Sequence, residues 1–289
     1  MKKTKVAVGV IVAIGVIWTG AAWFTGKQLE SHMDQMLQNA NTQLNAYAPN
    51  ARLTLSYQDY QRGIFSSKTK LVIQASSQTE DNPLLKPGQS IVLNETIDHG
   101  PFPFAQLKRG SLIPSMASVH TELENTDAVK KLFELTDGKS LITADTRVGY
   151  SGATDTALNL IAVDYNNAQT GDRLATNGGT LEISADSKGD QVSLNGDFSS
   201  IAVTSKNQVE HPVLFTLNGL KLKGDTHLSP DGVRVGDQSI SLDKLNASVD
   251  GQEGLLLERL NTESAFDNQD GKSGCNLDMI VDNISLQKE

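Results

Sequence analysis

The pattern of apolar and polar positions changes twice along the chain. Residues 6–24 form a run of 19 positions without a charged residue or a proline. From 27 to 47, apolar side chains recur every three or four positions, as they do on one face of an α-helix. Beyond Pro49 the period falls to two, which is typical of strands that bury one face. The pattern therefore predicts a mainly β protein with two helical segments at its N-terminus.

The uncharged run predicts a single transmembrane helix. At about 1.5 Å per residue it covers roughly 28 Å, close to the hydrocarbon thickness of a bilayer. The residues assigned to the anchor are Val6, Ile11, Ile14, Ile17, Trp18, Trp23 and Phe24, the last three resembling the aromatic belt of a membrane interface. A cleavable signal peptide ending near Gly20-Ala21-Ala22 is the alternative. The length of the run and its aromatic end favour the uncleaved anchor.

The distribution of lysine predicts the orientation. Lys2, Lys3 and Lys5 precede the run, and only Lys27 lies close to its other end. Basic residues stay on the cytoplasmic side, so residues 1–5 are expected in the cytoplasm. The bulk of the chain, from residue 50 to 289, is then expected in the periplasm, held at the inner membrane.

The second helical segment, 27–48, predicts an amphipathic helix that continues from the anchor and ends at Pro49. Its apolar stripe consists of Leu29, Met33, Met36, Ala40, Leu44 and Tyr47. Two interpretations stay open for Leu29, Met33, Met36 and Leu44. They pack on the β domain of the same chain, or they pair with a second copy in a homodimer.

Alternating segments dominate the remainder. They are 52–57, 70–75, 90–97, 180–184, 191–194, 213–221, 239–249 and 276–286. Asx-Gly pairs tolerate the positive φ of tight hairpin turns, and they lie at 137–138, 177–178, 195–196, 218–219, 231–232, 250–251 and 270–271. These signals predict a long antiparallel β-meander, elongated or curved, interrupted by one short helix near 126–136.

The charge of the chain argues against one class of partner, and its cysteine content excludes an intrachain disulfide. The chain has 34 acidic and 25 basic residues, and three of the basic ones lie in the N-terminal tail. Such a domain is repelled by phosphate backbones, which argues against nucleic-acid binding. Cys275 is the single cysteine, so no intrachain disulfide forms, and we expect it to be buried in a strand.

A search for chemistry finds no catalytic, metal-binding or cofactor motif. The five histidines lack metal-ligand spacing, and there is no nucleophile elbow, P-loop or dinucleotide-binding glycine pattern. One segment stands out, and it reads Asp98-His99-Gly100-Pro101-Phe102-Pro103-Phe104. It is either a clamp for a ligand, with Asp98 orienting His99 and raising its pKa, or a rigid turn whose phenylalanines fill the core.

Several segments together resemble the YdgA-like (YdgA/YihF) family of bacterial envelope proteins. They are the lysine-tipped anchor ending Trp18-Thr19-Gly20, and the segments 60–67, 98–103, 112–118 and 149–152. The resemblance implies an inner-membrane protein whose periplasmic domain is uncharacterised and associates with itself. Family members continue well beyond this length, so the chain is expected to be truncated and its β domain incomplete.

Three functional hypotheses follow from these observations. The first is a non-enzymatic envelope protein that interacts with itself or with other envelope components. The second is a lipid- or hydrophobe-binding groove protein at the inner membrane. The third is a hydrolase that uses Asp98 and His99.

Overall fold

The computed structural model describes residues 2–47, 52–75, 85, 88–206, 211–269 and 272–286. Within these ranges the side chains of residues 2–15, 36, 43, 46, 47, 253, 269, 272 and 273 are not described. The predicted roles of Lys2, Lys3, Lys5, Val6, Ile11, Ile14 and Met36 therefore lie outside the described side chains, and the pair at 270–271 lies outside the described residues.

The chain divides into two compact units. Unit 1 comprises Met1–Lys130 and Thr143–Tyr150, and unit 2 comprises Lys131–Ile142 and Ser151–Glu289. Antiparallel strands dominate both, which confirms the prediction of a mainly β meander with few helices.

Unit 1 begins with one uninterrupted helix, α1, from Lys2 to Tyr47. The two helical segments of the sequence are thus continuous, as expected, and the helix ends just before Pro49. Among the helices that the structure describes, none contains a segment long and apolar enough to cross a bilayer.

The sheet of unit 1 is a five-stranded meander in the order β1-β2-β3-β4-β5. Its strands are β1 Leu53–Arg62, β2 Ser66–Ala75, β3 Ser90–His99, β4 Ala117–Leu123 and β5 Ile142–Val148. A short helix that the sequence did not predict, α2 (Phe104–Lys108), follows β3. The buried cluster of this unit joins α1 to the sheet through Leu29, Ile97, Ala117 and Val148.

The sheet of unit 2 has the order β6-β9-β10-β11-β12-β13-β14, and β8 pairs with both β7 and β10. Its strands are β6 Thr154–Leu160, β7 Val163–Asn166, β8 Arg173–Thr176, β9 Gly179–Ala185, β10 Gln191–Lys206, β11 Pro212–Leu228, β12 Arg234–Val249, β13 Gln252–Gln269 and β14 Lys272–Leu286. The last five are long, with 15 to 18 residues each. The helix expected at 126–136 is the shorter α3, Lys130–Leu135, with Phe133 buried.

The Asx-Gly pairs do not all form turns. Asp250 and Gly251 join β12 to β13, with φ of 52° and 75°. Asn195-Gly196 and Asn218-Gly219 lie inside β10 and β11, so the turns predicted there are wrong. Alternating apolar positions continue on both sides of these two pairs, and the long ladders to neighbouring strands override the local turn preference.

The apolar alternation of the five long strands changes phase at one level of the sheet. In β11 the apolar side chains are at 213, 215 and 217, then at 220 and 222, and in β12 they are at 240 and 242, then at 245, 247 and 249. Gly219 and Arg259 lie at this level with φ of 66° and 51°, and Gly219 has no cross-strand partner. A strictly alternating strand would place the two apolar sets on opposite faces. The apolar pattern therefore shifts by one position at the level of these two irregular residues.

Candidate functional site

Helix α1 is packed onto the sheet of its own unit. Ala22 is completely buried and Leu29 lies in the core cluster. Further along, the side-chain amide of Asn41 donates to the carbonyl oxygen of Leu55 at 3.0 Å and accepts from the Leu55 N–H at 2.8 Å. Because β1 is the edge of this sheet, Asn41 satisfies peptide groups that no described neighbouring strand pairs.

The packing of α1 determines how far the predicted interaction residues are buried. Leu29 is buried within the chain, while Met33 and Leu44 are half-buried. The contacts of α1 described above are those of packing within one chain. They leave open the homodimer expected from the same stripe.

Three aromatic rings meet at the N-terminal side of this interface. The ring of Trp18 lies 5.0 Å from that of Phe104 and 5.8 Å from that of Phe65, and the two phenylalanine rings are 5.5 Å apart. The tilted and edge-on geometries are those that aromatic quadrupoles favour. One turn later, Lys27 and Arg62 both approach the ring of Trp23, at 5.7 and 5.8 Å.

An apolar pocket of about 350 Å³ lies beside the aromatic cluster. Its walls are Ile17, Trp18, Ala21, Pro101, Phe102, Leu107 and Leu112. The only polar group these side chains carry is the indole N–H of Trp18, which is buried without an acceptor among the described residues. The pocket joins α1 to the segment that the sequence singled out.

The segment after β3 is positioned by close backbone contacts. The Gly100 N–H donates to the carbonyl oxygen of Met116 at 2.8 Å, and a β-carbon on Gly100 would collide with the Ser115 carbonyl. Pro103 is fully buried, whereas Phe102 and Phe104 are 36% and 39% exposed. The expectation that these phenylalanines fill the core is wrong. Phe104 packs on Trp18, and Phe102 forms part of the pocket wall.

Asp98 does not orient His99 as predicted. One carboxylate oxygen of Asp98 accepts the backbone N–H of Ala105 at 2.7 Å, at the start of α2. Successive side chains of a strand point to opposite faces, so Asp98 cannot share a site with His99. Burial lowers the pKa of His99, and the smaller opposing effects of the Ile64 carbonyl and of Asp98 do not reverse this. The predicted rise of its pKa is therefore wrong.

His99 instead belongs to a buried hydrogen-bond chain. Its Nδ1 donates to the carbonyl oxygen of Ile64 at 3.0 Å, because a carbonyl can only accept. In the neutral ring, Nε2 then accepts from the hydroxyl of Ser67 at 2.8 Å, and Ser67 Oγ in turn accepts from Tyr60 at 3.1 Å. Ser67 and His99 are 1% and 2% exposed, and Gly26 of α1 lies directly against the imidazole.

A serine next to a histidine is an arrangement that hydrolases use for nucleophilic attack. Here the pair lies in the interior under α1, and the atom that orients the histidine is the Ile64 backbone oxygen. Asp98, the expected orienting carboxylate, takes no part. The hydrogen bonds among Tyr60, Ser67 and His99 therefore satisfy buried polar groups.

A charged cluster lies on β4, β5 and the end of α2. His120 bonds Asp145 at 2.9 Å through Nδ1 and Glu122 at 3.0 Å through Nε2. Arg109 reaches the same Asp145 oxygen at 3.3 Å. Burial lowers the pKa of His120, but the hydrogen bonds to Glu122 and Asp145 outweigh it, and the pKa is raised.

Glu95 is a half-buried carboxyl group in the middle of β3. It pairs with Thr69 and Thr121 across the sheet. Burial raises its pKa to about 7. Burial and the charge of Glu95 together raise the pKa of Tyr57 to about 12.

Unit 2 has a groove of about 590 Å³ along β10 to β14 whose lining residues are mostly polar. Two pairs of carboxylates stand directly opposite each other in it, Asp225 with Asp237 and Glu263 with Asp278. Within the described ranges, no three His, Cys, Asp or Glu side chains converge as metal ligands would. Cys275 is exposed on β14, so the expectation that it is buried is wrong.

Sequence reasoning missed the other parts of the site. Tyr60 and Ser67 lie in the segment 60–67, which the sequence singled out only as part of the family resemblance, and the structure forms a hairpin there between β1 and β2. Gly26 and Leu107 carried no signal in the sequence. Their roles depend on how α1 lies on the sheet, which no local pattern encodes.

The family and the relatives that the chain resembles carry names that state no function. A family described as "Bacterial protein of unknown function (DUF945)" matches residues 1–289. Protein YdgA of Escherichia coli K12 is 42% identical over 291 residues, covering 100% of this chain and 57% of its own length. The uncharacterized protein YihF of the same organism is 25% identical, covering 98% of this chain and 58% of its own length. A Haemophilus influenzae protein is 27% identical over 172 residues, which are 59% of this chain and 45% of its own length. The chain thus spans little more than half the length of the Escherichia coli relatives, and no solved structure matches it.

Proposed function

Because the chain belongs to the DUF945 family, whose function is unknown, we propose a function from its geometry. The protein is a non-enzymatic, membrane-anchored envelope protein. It holds unit 1 directly on its own anchor helix and interacts with itself or with other envelope components through the sheet of unit 2.

The observation that carries the proposal is the packing of α1. One helix of 46 residues begins at the lysine-rich tail, includes the uncharged run 6–24, and is then docked on the sheet through Ala22, Leu29 and Asn41. The 16 residues of the helix that precede Trp18 cover about 24 Å, most of a hydrocarbon core of about 30 Å, so the proposal places Trp18 and Ala22 at the outer edge of the bilayer, where the docked domain begins. The lysines before the run favour a cytoplasmic N-terminus and a periplasmic domain.

The proposed interaction surface is the edge strand β14. It pairs with β13, and no strand among the described residues pairs with its other edge. Its exposed apolar side chains are Leu277, Met279, Ile280, Ile284 and Leu286. A long strand with one edge unpaired among the described residues is a template for pairing with a further strand, and the proposal takes that strand to be β14 of a second copy.

The single cysteine provides a direct test of the proposed periplasmic location. Cys275 is exposed, so a membrane-impermeant maleimide should label the full-length chain in cells whose outer membrane alone is permeable. A Cys275→Ser variant controls for background labelling. Labelling that appears only after the inner membrane is broken, or a chain released from membranes by alkaline carbonate, would refute the anchored, periplasmic arrangement.

Self-association is tested in a chain that carries the Cys275→Ser substitution. In a Cys275→Ser/Met279→Cys chain the new thiol lies at the middle of β14, where two antiparallel copies would meet. Oxidation should then give a disulfide-linked dimer in membranes. Lys188→Cys, at an exposed position in the turn between β9 and β10, is the matched control. Equal crosslinking at both positions would show that β14 is not the contact.

A second function is favoured by one observation, the apolar pocket against α1. It supports binding of a lipid or another hydrophobe near the bilayer.

A further inference from the structure

The sheet of unit 1 has one end at which several of its connections meet helix α1. The register places the end of β3 beside the starts of β2 and β4, and the start of β4 beside the end of β5. The hairpin between β1 and β2, the segment between β3 and β4, and the end of β5 therefore lie at the same end of the sheet. We call it the anchor end, because Trp18 of the uncharged run packs there on Phe65 and Phe104.

The exposed apolar side chains of unit 1 are confined to this region. Among the described side chains of the unit, every exposed large apolar one lies either in residues 16–24 of α1 or in a connection at the anchor end. The connections contribute Ile64, Phe102, Phe104, Leu112, Ile113 and Tyr150. Single exposed apolar side chains are normal on a protein surface, whereas a group of them in one place marks a contact surface.

Helix α1 leaves the sheet at the anchor end. From Trp18 to Asn41, which bonds Leu55 of β1, the helix rises about 35 Å. A strand of 10 residues such as β1 covers about 33 Å, so the docked part of α1 already spans the sheet. The residues before Trp18 therefore project beyond the anchor end. Leu112 lines the same apolar pocket as Ile17, so it lies level with the point where the helix leaves.

The charge at the anchor end is complementary to an anionic surface. Residues 100–121 include Lys108 and Arg109 but no acidic residue, although the whole chain has 34 acidic and only 25 basic residues. Lys27, which approaches the ring of Trp23, is also exposed at this end. Neither Lys27 nor Lys108 has an acidic partner among the described residues. Lysines next to a membrane segment are attracted to anionic lipid headgroups.

We propose that the anchor end of unit 1 is seated in the interface of the bilayer, with Leu112 and Ile113 among the lipid headgroups and Lys27 and Lys108 on anionic phosphates. The proposal rests on the anchored arrangement of α1 and adds a second contact between the domain and the same bilayer. Because the residues before Trp18 project from this end, a bilayer that contains them meets the surrounding connections at its surface. Apolar side chains with basic neighbours are typical of proteins that lie on a membrane interface.

Spin labels at three positions test the seating. Each full-length chain carries Cys275→Ser and one new cysteine, at Ile17, Leu112 or Asn125, and is placed in vesicles of phosphatidylethanolamine and phosphatidylglycerol. Asn125 is exposed beyond the opposite end of β4 and is the matched control. Oxygen concentrates in the bilayer and a charged nickel chelate in water, so the ratio of their collisions with the nitroxide reports immersion.

The nitroxides of Ile17→Cys and Leu112→Cys should collide more with oxygen, and that of Asn125→Cys more with the nickel chelate. If Leu112→Cys behaves like Asn125→Cys while Ile17→Cys is immersed, the seating is overturned and the anchor stands. A nitroxide at Leu112→Cys that neither reagent reaches would show that a second copy or another protein covers the surface, which also overturns the proposal. If Ile17→Cys itself is reached mainly by the nickel chelate, the anchored arrangement fails and the seating fails with it.

The contribution of charge is tested by the rate at which a charged maleimide modifies the thiol of Leu112→Cys. Adding Lys108→Gln should raise this rate up to about fivefold, as the loss of one lysine from an anionic surface predicts. Lys130→Gln, exposed in unit 1 beyond the opposite end of β4, should leave it unchanged. In vesicles of phosphatidylcholine alone the two variants should react equally. Equal rates in the anionic vesicles would overturn the contact of Lys108 with anionic lipid.

Discussion

Gly26 of helix α1 lies against the imidazole of His99, and a β-carbon at position 26 would collide with Cε1, Nδ1 and Nε2 of the ring. The contact joins the helix to the buried chain of Tyr60, Ser67 and His99. The docking of α1 is therefore sensitive to side-chain volume at this position.

Gly26→Ala should weaken this docking. Alanine favours a helix over glycine by about 0.8–1 kcal/mol, but overpacking a filled interface costs about 1–3 kcal/mol. Gly20→Ala is the matched control, since a β-carbon there meets no atom within 4 Å. Urea unfolding in detergent should give a lower free energy for Gly26→Ala and an unchanged or higher one for Gly20→Ala. Equal effects would show that α1 does not rest on His99.

Ser67→Ala should destabilise unit 1 through His99. The substitution removes the donor to Nε2 and leaves a buried nitrogen unsatisfied, which costs about 1–3 kcal/mol. Ser66→Ala, one residue earlier and only half-buried, should cost less. The difference in the free energy of unfolding between the two variants is the measurement. A Ser66 effect as large as that of Ser67 would contradict the proposed network.

Glu95→Gln should stabilise the chain at alkaline pH. The pKa of Glu95 is raised from 4.5 to about 7 by burial, so the folded state holds the proton more tightly than the unfolded state. Its contribution to stability is present below pH 4.5 and is lost as the pH rises to about 7. At pH 8 the variant should gain about 1–3 kcal/mol, and at pH 4 almost nothing. Denaturation at both pH values tests this, with exposed Glu134→Gln as control.

His120 should stabilise the chain more in acid than in alkali. Its pKa is raised by Glu122 and Asp145, with Arg109 beside the shared carboxylate. The stabilisation is complete below the unfolded value of 6.5 and is lost as the pH rises through the folded value. The loss of stability in His120→Gln should therefore be larger at pH 5.5 than at pH 9.

The strands were predictable because alternation and turn residues are local signals. β3 and β12 follow the segments expected at 90–97 and 239–249, and the uninterrupted α1 follows from the stripe after residue 27. The turns at 195–196 and 218–219 were predicted wrongly, because long cross-strand ladders outweigh the preference of a dipeptide.

The site was less predictable because its contacts join distant segments. Asp98 and His99 are neighbours in sequence but face opposite sides of β3. The partner of His99 is Ser67, 32 residues earlier, which the pairing of β2 with β3 brings close. That register, and the way Gly26 and Trp18 meet the sheet, emerge only when helix and strands pack together.

The shift of the apolar pattern at Gly219 and Arg259 limits how the length of these strands can change among descendants of one gene. Losing a single codon in β11 alone would offset half of that strand against β10 and β12, and its apolar side chains would face the wrong way. Insertions and deletions should therefore be rare within the five long strands and should collect at their connecting turns, whereas exchanges of one residue for another remain free at the exposed positions.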